Sequence, residues 1–552
     1  MQSQLWCVPV MKIVTKAEIK VLELEAKDQG LSEDDLINQA GLLIASFTHQ
    51  RLQHPDAIVI LVGSGNNGSD GIVAALHLHQ LGHEVLLYIC NQRSPQDLYL
   101  KRVRAVGVNV IDAAEDAKQT NLKHYVNLCA IVIDAVIGTG RNRPLNKMTS
   151  SVFNVIRQQK LINHRLSVIA IDLPSGLDAD TGNKDVNSLH ADVTITLGYP
   201  KRGLFLLPGA ELSDQLVLGS IGLGETKLRM KTPTLLTPKW VEAHLPDRSR
   251  FATKRSHGRI LTVAGSREYP GAAYLATMGA ARAGAGLVTL ITAPEVQQIM
   301  ASKLVEVTHL IPPENDKKGF GLGTGLWIRQ QLTSYDALII GCGLGRSTES
   351  QAVVSETLLT TQPESKPTVV DADALNTLAV TPEWWKRISS QTILTPHSRE
   401  MSRLAGVPLQ QVDENRWEIA LEYAYRWGVF ILLKGPFSVI ASPSGELRII
   451  PFANPVLATA GTGDVLAGII GAMLARNLSP FDAATIGAAI HGIAGELLGV
   501  DLGNQGALAT DLLTHLPLAI RSINTVWPVR EFQETGFLHA DAELRDPKTC
   551  VH

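Results

Sequence analysis

The 552-residue chain is poor in cysteine, which excludes several classes of small, cross-linked protein. It has only five cysteines, and none of them forms a C-x-x-C pair. An odd and scattered set disfavours a disulfide framework and a structural zinc site, and it is typical of a reducing compartment. Residues 1–16 also lack the basic start and apolar core of a signal peptide. We therefore expect a cytoplasmic protein.

Aromatic residues and net charge are scarce as well. Aromatic residues make up 5% of the chain, the formal net charge is -3, and no basic run stands out, so a nucleic-acid partner is not expected. The apolar run at 465–475 is far shorter than the ~20 residues that span a membrane, and we interpret it as a buried helix. What the chain does have is 45% apolar and 19% charged residues, enough for large globular cores.

The first half of the chain alternates strand-like and helix-like segments. Capping boxes at Thr15–Glu18 and Ser32–Asp35 predict two helix starts, and further helices are predicted at 72–81 and near 97–105. Short buried strands are predicted at 57–62, 83–89, 130–133, 167–171 and 192–197. Alternation of this kind is typical of a parallel sheet between helices, which predicts a Rossmann-like three-layer α/β domain.

A change of composition separates this region from a second α/β region. Charges, prolines and threonines at 225–239 predict a linker. Strands are then expected at 259–264, 287–293, 337–341, 367–371, 392–395 and 429–434, a hairpin around PSG at 443–445, and helices at 463–475 and 481–498. We predict domains at 1–228 and 229–525, followed by a tail at 526–552 with little core potential.

Three polar motifs of the first half follow predicted strands. Residues 63–71 (GSGNNGSDG) precede a helix, where an open sheet usually binds ligands, although a tight turn alone would also use glycines. Asp134 and Asp172 each end a strand and precede a glycine turn. Alone, each aspartate could be a helix cap. Together they suit a hard cation or a ribose-phosphate, and Asp134 is the predicted acid/base.

These three motifs, in this order, resemble the NAD(P)H-hydrate epimerase family over roughly residues 12–225. The resemblance implies an isomerase that interconverts the R and S forms of hydrated NADH and NADPH, with K⁺ bound by Asn67, Asp134 and Ser175. It also implies a substrate-binding set, which comprises Asn66, Asn67, Gly68, Ser69, Asp70, Gly138, Thr139, Gly140, Arg141, Asn142, Arg143, Pro144 and Asp172. Ser69 stands where the family usually has glycine, and its β-carbon would be strained at a positive φ.

The second half carries a phosphate-type turn. Residues 461–464 (GTGD) open an apolar helix, and backbone N–H groups at such a turn form an anion hole, with Asp464 as a base toward a substrate hydroxyl. An ordinary loop with a capping threonine is the alternative. Lys434 and Ser438 follow one predicted strand, and His397 with Glu400 follows another. We expect these groups to share one site.

This set resembles the ribokinase-like fold and, within it, the ADP-dependent NAD(P)H-hydrate dehydratase family, over about 239–520. Glycine motifs at 265–273, 282–288 and 341–345 support the resemblance. It implies ADP, or ATP in some relatives, with Mg²⁺. The implied substrate residues are Ala272, Gly345, His397 and Asp464, and the implied nucleotide residues are Lys434, Gly435, Pro436, Phe437, Ser438 and Gly463. HSRE at 397–400 replaces the family's usual HPGE, and Arg399 is expected to affect that turn.

Together these observations predict a bifunctional isomerase and lyase. Asp464 would deprotonate the C6 hydroxyl of the S-hydrate, the terminal phosphoryl group would move to that oxygen, and phosphate would leave as NAD(P)H forms. Epimerisation requires only ring opening, or loss and re-addition of water at the same carbon. A ribokinase-like vitamin or sugar kinase with an accessory N-terminal binding domain, and a non-enzymatic N-terminal scaffold, are the alternatives. We expect a homo-oligomer.

Overall fold

The computed structural model describes residues 11–52, 54–140, 144–224, 232–312, 320–321, 323–360 and 366–532. The chain forms two compact units, each built from two stretches of sequence. One contains residues 12–229 and 528–552, and the other contains 1–11 and 230–527. The first is called the N-unit below and the second the C-unit.

The strands of both units are short. In chain order they are β1 (Met11–Lys12), β2 (Ala57–Val62), β3 (Glu84–Ile89), β4 (Asn109–Asp112), β5 (Ile131–Ala135), β6 (Ser167–Ile171), β7 (Ala191–Leu197), β8 (Ser213–Gly219), β9 (Thr234–Leu235), β10 (Arg259–Val263), β11 (Leu287–Ile291), β12 (Thr308–His309), β13 (Ala337–Ile340), β14 (Thr368–Val370), β15 (Thr392–Leu394), β16 (Phe430–Leu433), β17 (Val439–Ala441), β18 (Leu447–Ile449) and β19 (Val529–Phe532).

The helices alternate with these strands over most of the chain. In the same order they are α1 (Lys16–Asp28), α2 (Glu33–Arg51), α3 (Asn66–Gln80), α4 (Leu98–Ala105), α5 (Thr120–Leu128), α6 (Lys147–Ile162), α7 (Pro238–His244), α8 (Pro270–Arg282), α9 (Pro294–Lys303), α10 (Thr324–Leu332), α11 (Thr348–Leu358), α12 (Asp373–Val380), α13 (Ser398–Ala405), α14 (Leu409–Glu414), α15 (Arg416–Trp427), α16 (Thr462–Ala475), α17 (Pro480–Leu502) and α18 (Ala509–Arg521).

The N-unit is a parallel sheet with a hydrophobic core on each face, which confirms the predicted three-layer architecture. Its strand order is β19-β8-β7-β6-β5-β2-β3-β4. Alternate residues of β2 face opposite sides: Ile60 belongs to the core that includes α2 and α3, and Leu61 belongs to the core that includes α5 and α6. Both predicted capping boxes are present, at the starts of α1 and α2.

A strand from the end of the chain completes this sheet. β19 lies within the segment predicted as a tail and pairs in parallel with β8, with Val529 beside Leu216 and Phe532 beside Gly219. Phe532 packs edge-on against Phe47, with the ring centroids 5.2 Å apart. The sequence prediction underrated these residues because a four-residue edge strand has too short a pattern to recognise alone.

The C-unit is a second α/β layer structure, of the ribokinase-like kind predicted from the sequence. Its sheet has the order β1-β9-β18-β17-β16-β15-β14-β13-β10-β11-β12. The predicted hairpin is present as antiparallel β17 and β18, with Gly445 at φ +93°. Part of the predicted linker is ordered, because β9 pairs with β18 and Thr237 caps α7. Its residues 225–231 lie outside the described part of the chain.

Helix α17 is long and apolar enough to cross a membrane by length and composition alone. However, 72% of its apolar window is buried inside the protein. A core helix of a globular domain has the same two properties, and the neighbouring α16, which was interpreted as buried from its sequence, is also almost wholly enclosed. The two helices therefore belong to the core of the C-unit.

Candidate active sites

A cavity of about 980 Å³ lies at the carboxyl ends of five neighbouring strands of the N-unit. These strands are β2, β5, β6, β7 and β8, and α1 and α2 supply a further wall. Many of the predicted substrate residues line it, namely Asn66, Asn67, Asp70, Gly138, Thr139, Gly140, Pro144 and Asp172. Arg141, Asn142 and Arg143 lie outside the described residues. The three sequence motifs therefore meet at one site.

The glycine-rich segment of this site is mostly helix rather than loop. Helix α3 begins at Asn66, six residues before the predicted start at 72, with Gly65 as its N-cap. Ser69 is helical and has no positive φ, so the strain considered for a serine at this position does not arise. Its hydroxyl accepts a 2.9 Å hydrogen bond from the Arg93 guanidinium, which also donates to the Gly63 carbonyl at 2.6 Å.

Asp134 is held beneath this cavity and is not among the residues that line it. It is 1% exposed, and its carboxylate accepts hydrogen bonds from the Ser175 hydroxyl at 2.6 Å and the Ser175 backbone N–H at 2.9 Å. Burial raises the pKa of Asp134, although these hydrogen bonds oppose the shift. This buried position suits a side chain that coordinates a cation better than it suits the acid/base role predicted for Asp134.

Asn67 is the neighbouring group with unsatisfied polar atoms. Its side chain is buried, and neither its amide nitrogen nor its amide oxygen has a hydrogen-bond partner. A Cβ added at Gly138 would lie 3.2 Å from that amide, so the 134–140 turn lies directly against it. Buried amides without partners are uncommon in proteins, and an unpaired oxygen beside a buried carboxylate is a typical cation ligand.

Four ionisable side chains also line the cavity. They are Glu23 of α1, Asp70 of α3, Asp172 after β6 and Lys201 after β7. Lys201 is 1% exposed and forms an ion pair with Asp172. The pKa of Asp70 is raised well above its usual range. Burial is the largest cause of this shift, and the charges of Asp172 and Glu23 add to it.

Sequence reasoning missed Glu23 and Lys201. Glu23 lies within an ordinary amphipathic helix, and Lys201 follows a strand in the segment GYPK, which has no glycine loop or carboxylate to mark it. The one available signal was position. Lys201 follows the carboxyl end of a predicted strand, and the carboxyl ends of parallel strands meet at one edge of the sheet.

The second site lies in the C-unit, at the start of α16. Gly461 precedes the helix with φ +92°, and the Thr462 hydroxyl donates to the Leu457 carbonyl at 2.8 Å, which fixes the turn. His491 lies behind it, with Nε2 2.9 Å from the Thr462 carbonyl, and burial lowers the His491 pKa to about 4. Burial, and after it the charge of Asp371, raises the pKa of Asp464 to about 7.

Lys434 links this turn to two other strand ends. Its Nζ lies 2.8 Å from Asp371 Oδ1 and 4.0 Å from Glu400 Oε2. A Cβ added at Gly463 would lie 3.4 Å from the same Nζ, so the ammonium is beside the anion-binding turn. The carboxylates of Asp371 and Glu400 raise the pKa of Lys434 despite its burial, which keeps the group cationic. The sequence analysis did not predict Asp371 as a site residue.

His397 caps the start of α13 in the same region. Its Nδ1 accepts hydrogen bonds from the backbone N–H groups of Arg399 at 3.1 Å and Glu400 at 3.4 Å, and the Glu400 carboxylate accepts from the His397 N–H at 2.9 Å. The capping box therefore survives the change from the family's usual HPGE to HSRE. Arg416 links the 397–400 segment to Lys434, because its guanidinium donates to the Ser398 hydroxyl and the Lys434 carbonyl.

The remaining predicted residues of the C-unit lie on glycine turns or, in the case of Ala272, in the first turn of α8. Gly435 and Phe437 both have positive φ, and the Ser438 hydroxyl donates to the Gly435 carbonyl at 2.9 Å, which forms a compact loop after β16. Gly345 donates its N–H to Asp373 at 2.9 Å. A Cβ at Gly343 would lie 2.6 Å from the Ala272 Cβ, which places Ala272 against the 341–345 turn.

These features define the class of protein, an α/β enzyme with a small-molecule cavity in one unit and a phosphate-type site in the other. Residues 260–518 match the family model described as NAD(P)H-hydrate dehydratase, and residues 33–203 match the model described as YjeF-related protein N-terminus. The bifunctional NAD(P)H-hydrate repair enzyme of Moorella thermoacetica is 35% identical over 525 residues, 93% of this chain and 97% of that protein. Its Escherichia coli counterpart is 32% identical over 509 residues, 90% and 92% of the two chains.

The chain belongs to the family of bifunctional NAD(P)H-hydrate repair enzymes. It is therefore an epimerase and a dehydratase of hydrated NAD(P)H, as the two resemblances implied, and not a lone kinase with an accessory domain. Among solved structures, the ADP/ATP-dependent NAD(P)H-hydrate dehydratase of Bacillus subtilis, co-crystallised with ATP/Mg²⁺, is 32% identical, with a TM-score of 0.45, and covers 52% of this chain and 98% of that one.

Proposed function

We propose that the C-unit dehydrates the S-hydrate by phosphoryl transfer from ADP, with Asp464 as the base. The main support for this proposal is the Asp464 carboxylate, which lies in the first turn of α16 beside a buried ammonium and has a pKa raised to about 7. Asp464 takes the proton of the C6 hydroxyl, and the β-phosphoryl group of ADP moves to that oxygen, releasing AMP. The N1 lone pair then expels phosphate and C5 loses a proton, which restores NAD(P)H. Phosphate leaves far more readily than hydroxide.

The nucleotide is bound by the loop after β16 and the turn before α16. Lys434 would neutralise the phosphates, and the N–H groups around Gly463 would hold the transferring group. His397 and Asp464, with Ala272 of α8 and Gly345 of the 341–345 turn, would contact the hydrated nicotinamide. Mg²⁺ is usually held by one or two carboxylates together with phosphates, and Glu400, 7% exposed and 4.0 Å from Lys434, fits that need. The Mg²⁺ ion would neutralise part of the negative charge of the nucleotide phosphates.

An assay of the full chain on the S-hydrate tests this proposal. We expect recovery of the NADH absorbance at 340 nm with ADP and Mg²⁺, release of AMP and phosphate, and loss of recovery in Asp464→Asn. Substitution of ATP for ADP in a parallel reaction measures the preference between the two nucleotides. Recovery without any nucleotide, or full recovery in Asp464→Asn, would contradict the phosphoryl-transfer mechanism.

For the N-unit, we propose that K⁺ binds beside the substrate cavity, at Asn67, Asp134 and Ser175. The unpaired amide oxygen of Asn67 and the buried carboxylate of Asp134 are the atoms that fit a cation. K⁺ would supply positive charge that holds the 134–140 turn against α3. The predicted set of 66–70, 138–144 and Asp172 would then hold the substrate.

Removal of K⁺ tests the site separately from catalysis. Exchange of K⁺ for tetramethylammonium should lower the melting temperature of the N-unit and slow R-to-S conversion, and Asn67→Ala should abolish the K⁺-dependent shift in melting temperature. Dehydratase activity on the S-hydrate serves as the internal control. A melting temperature of the N-unit that is independent of K⁺ would rule out this site. We further propose that the enzyme is a cytoplasmic homo-oligomer without nucleic-acid or membrane partners.

A further inference from the structure

The epimerase cavity contains a pair of aspartates in contrasting environments. Asp70 and Asp172 both line it, and both are 8% exposed. They come from different elements, Asp70 from the second turn of α3 and Asp172 from the end of β6. Two carboxylates whose environments differ are the usual basis for dividing acid and base roles within one site.

Asp172 is held in place by an ion pair and a hydrogen bond. It has φ +64°, an uncommon conformation for a non-glycine residue, and this turns it out of the strand direction. Its Oδ1 accepts a 3.2 Å hydrogen bond from the Leu197 N–H and forms the ion pair with Lys201. Lys201 is fixed in turn, because its Nζ also donates to the Leu197 carbonyl at 2.8 Å and the Thr196 hydroxyl at 3.4 Å.

Asp70 is in the opposite situation. It is buried, no ion pair to it is found among the described residues, and the charged groups of that part of the chain that act on it are Asp172, Glu23 of α1 and Lys201. Burial is the main cause of the raised pKa of Asp70, and the two anionic neighbours add to it, which favours the protonated acid over the carboxylate. Two carboxylates with different surroundings therefore line one cavity.

We propose that Asp70 is the general acid and Asp172 the general base of the epimerase, with Lys201 as the residue that positions Asp172. Asp70 donates its proton to the C6 hydroxyl of the R-hydrate, the C6–O bond breaks, and the N1 lone pair forms the C6=N1 double bond as water leaves. Water then adds to the other face of C6, Asp172 accepts its proton, and the C6=N1 pair returns to N1. Transfer of that proton from Asp172 to Asp70 through water restores the starting state.

This role assigns no step to Asp134, which accepts two hydrogen bonds from Ser175 and is not among the residues that line the cavity. It also explains why Lys201 is buried: an ammonium with all three donors used cannot bind a substrate, but it can hold one carboxylate in place. The epimerase must avoid removing a C5 proton, since that would complete a dehydration. A base held rigidly toward C6 meets this requirement.

The test measures R-to-S conversion by the full chain in K⁺ buffer without nucleotide, by chromatographic separation of the two hydrates. Asp70→Asn and Asp172→Asn should each lower kcat by about 100-fold or more, the usual contribution of a general acid or base. Lys201→Met should lower kcat more than it changes KM, and Lys201→Arg should restore part of the loss. In H₂¹⁸O, each conversion should introduce one solvent oxygen at C6.

The matched control is Lys160→Met, which removes another lysine–aspartate pair of the N-unit, 2.6 Å from Asp192 and outside the cavity lining. Thermal unfolding of each variant establishes that the N-unit is folded, and a positional role for Lys201 is tested only in variants that melt like the control. The assignment is wrong if Asp70→Asn or Asp172→Asn converts within about threefold of the unaltered chain, or if Lys201→Met matches Lys160→Met. Retention of the original oxygen would overturn the water-loss step.

Discussion

At the scale of single residues, Asp464 makes the dehydratase sensitive to pH. Its pKa is raised to about 7, chiefly by burial and then by the charge of Asp371, so the carboxylate proposed as the base is present above pH 7 and is lost below it. The groups that face it are Cys342, Asp371, Asp373 and Lys434. We expect kcat/KM for the S-hydrate with ADP to rise with an apparent pKa of about 7.

The neighbouring Asp371 allows a second prediction, which concerns the direction in which the pH profile shifts. Its negative charge raises the Asp464 pKa, and it also holds Lys434, whose positive charge lowers it. Asp371→Asn should therefore move the rising limb of the pH profile to lower pH. Asp501→Asn, on the exposed end of α17, is the control and should leave the limb in place. An unchanged limb in Asp371→Asn would show that Asp371 does not set the charge state of Asp464.

At the scale of elements, the start of α3 is braced from outside the helix. Arg93 has a 7% exposed side chain that joins the Ser69 hydroxyl, the Gly63 carbonyl and, at 2.7 Å, Asp97. Ser69→Ala and Arg93→Ala should each lower the local unfolding free energy of α3, measured by amide hydrogen exchange, and the double variant should show a coupling of about 1 kcal/mol. Purely additive effects would mean that the Ser69–Arg93 bond contributes nothing to the helix.

The elements of the N-unit show how far sequence patterns determine a fold. Strands at 57–62 and 167–171 were predicted with the bounds they have, because apolar runs with buried neighbours on both faces have few alternatives. The start of α3 was placed too late because Asn, Gly, Ser and Asp are residues of turns. Their helical state depends on packing: a Cβ at Gly71 would lie 2.6 Å from the Ala135 Cβ. The role of Lys201 likewise depends on a partner 29 residues away in sequence.

At the scale of the whole molecule, the C-terminal end of the chain is part of the epimerase unit. β19 pairs with β8, and the residues that follow β8, Ile221 and Leu223, line the substrate cavity. Val529 is 9% exposed, and Phe532 packs against the core that contains Ile221. A boundary placed after residue 228 would therefore separate the epimerase from one of its own strands. Neither the sequence pattern nor the linker composition indicated this return of the chain.

Two truncations separate the contribution of this strand from that of the residues after it. Deletion of 528–552 removes β19 but leaves Trp527 on Phe452, whereas deletion of 533–552 retains the strand and serves as the control. Loss of the buried Val529 and the partly buried Phe532 side chains should destabilise the N-unit by about 3 kcal/mol. The longer deletion should therefore lower the melting temperature of the N-unit and slow R-to-S conversion, while ADP-dependent repair of the S-hydrate continues. Equal melting and conversion in the two truncated chains would show that β19 does not support the cavity wall.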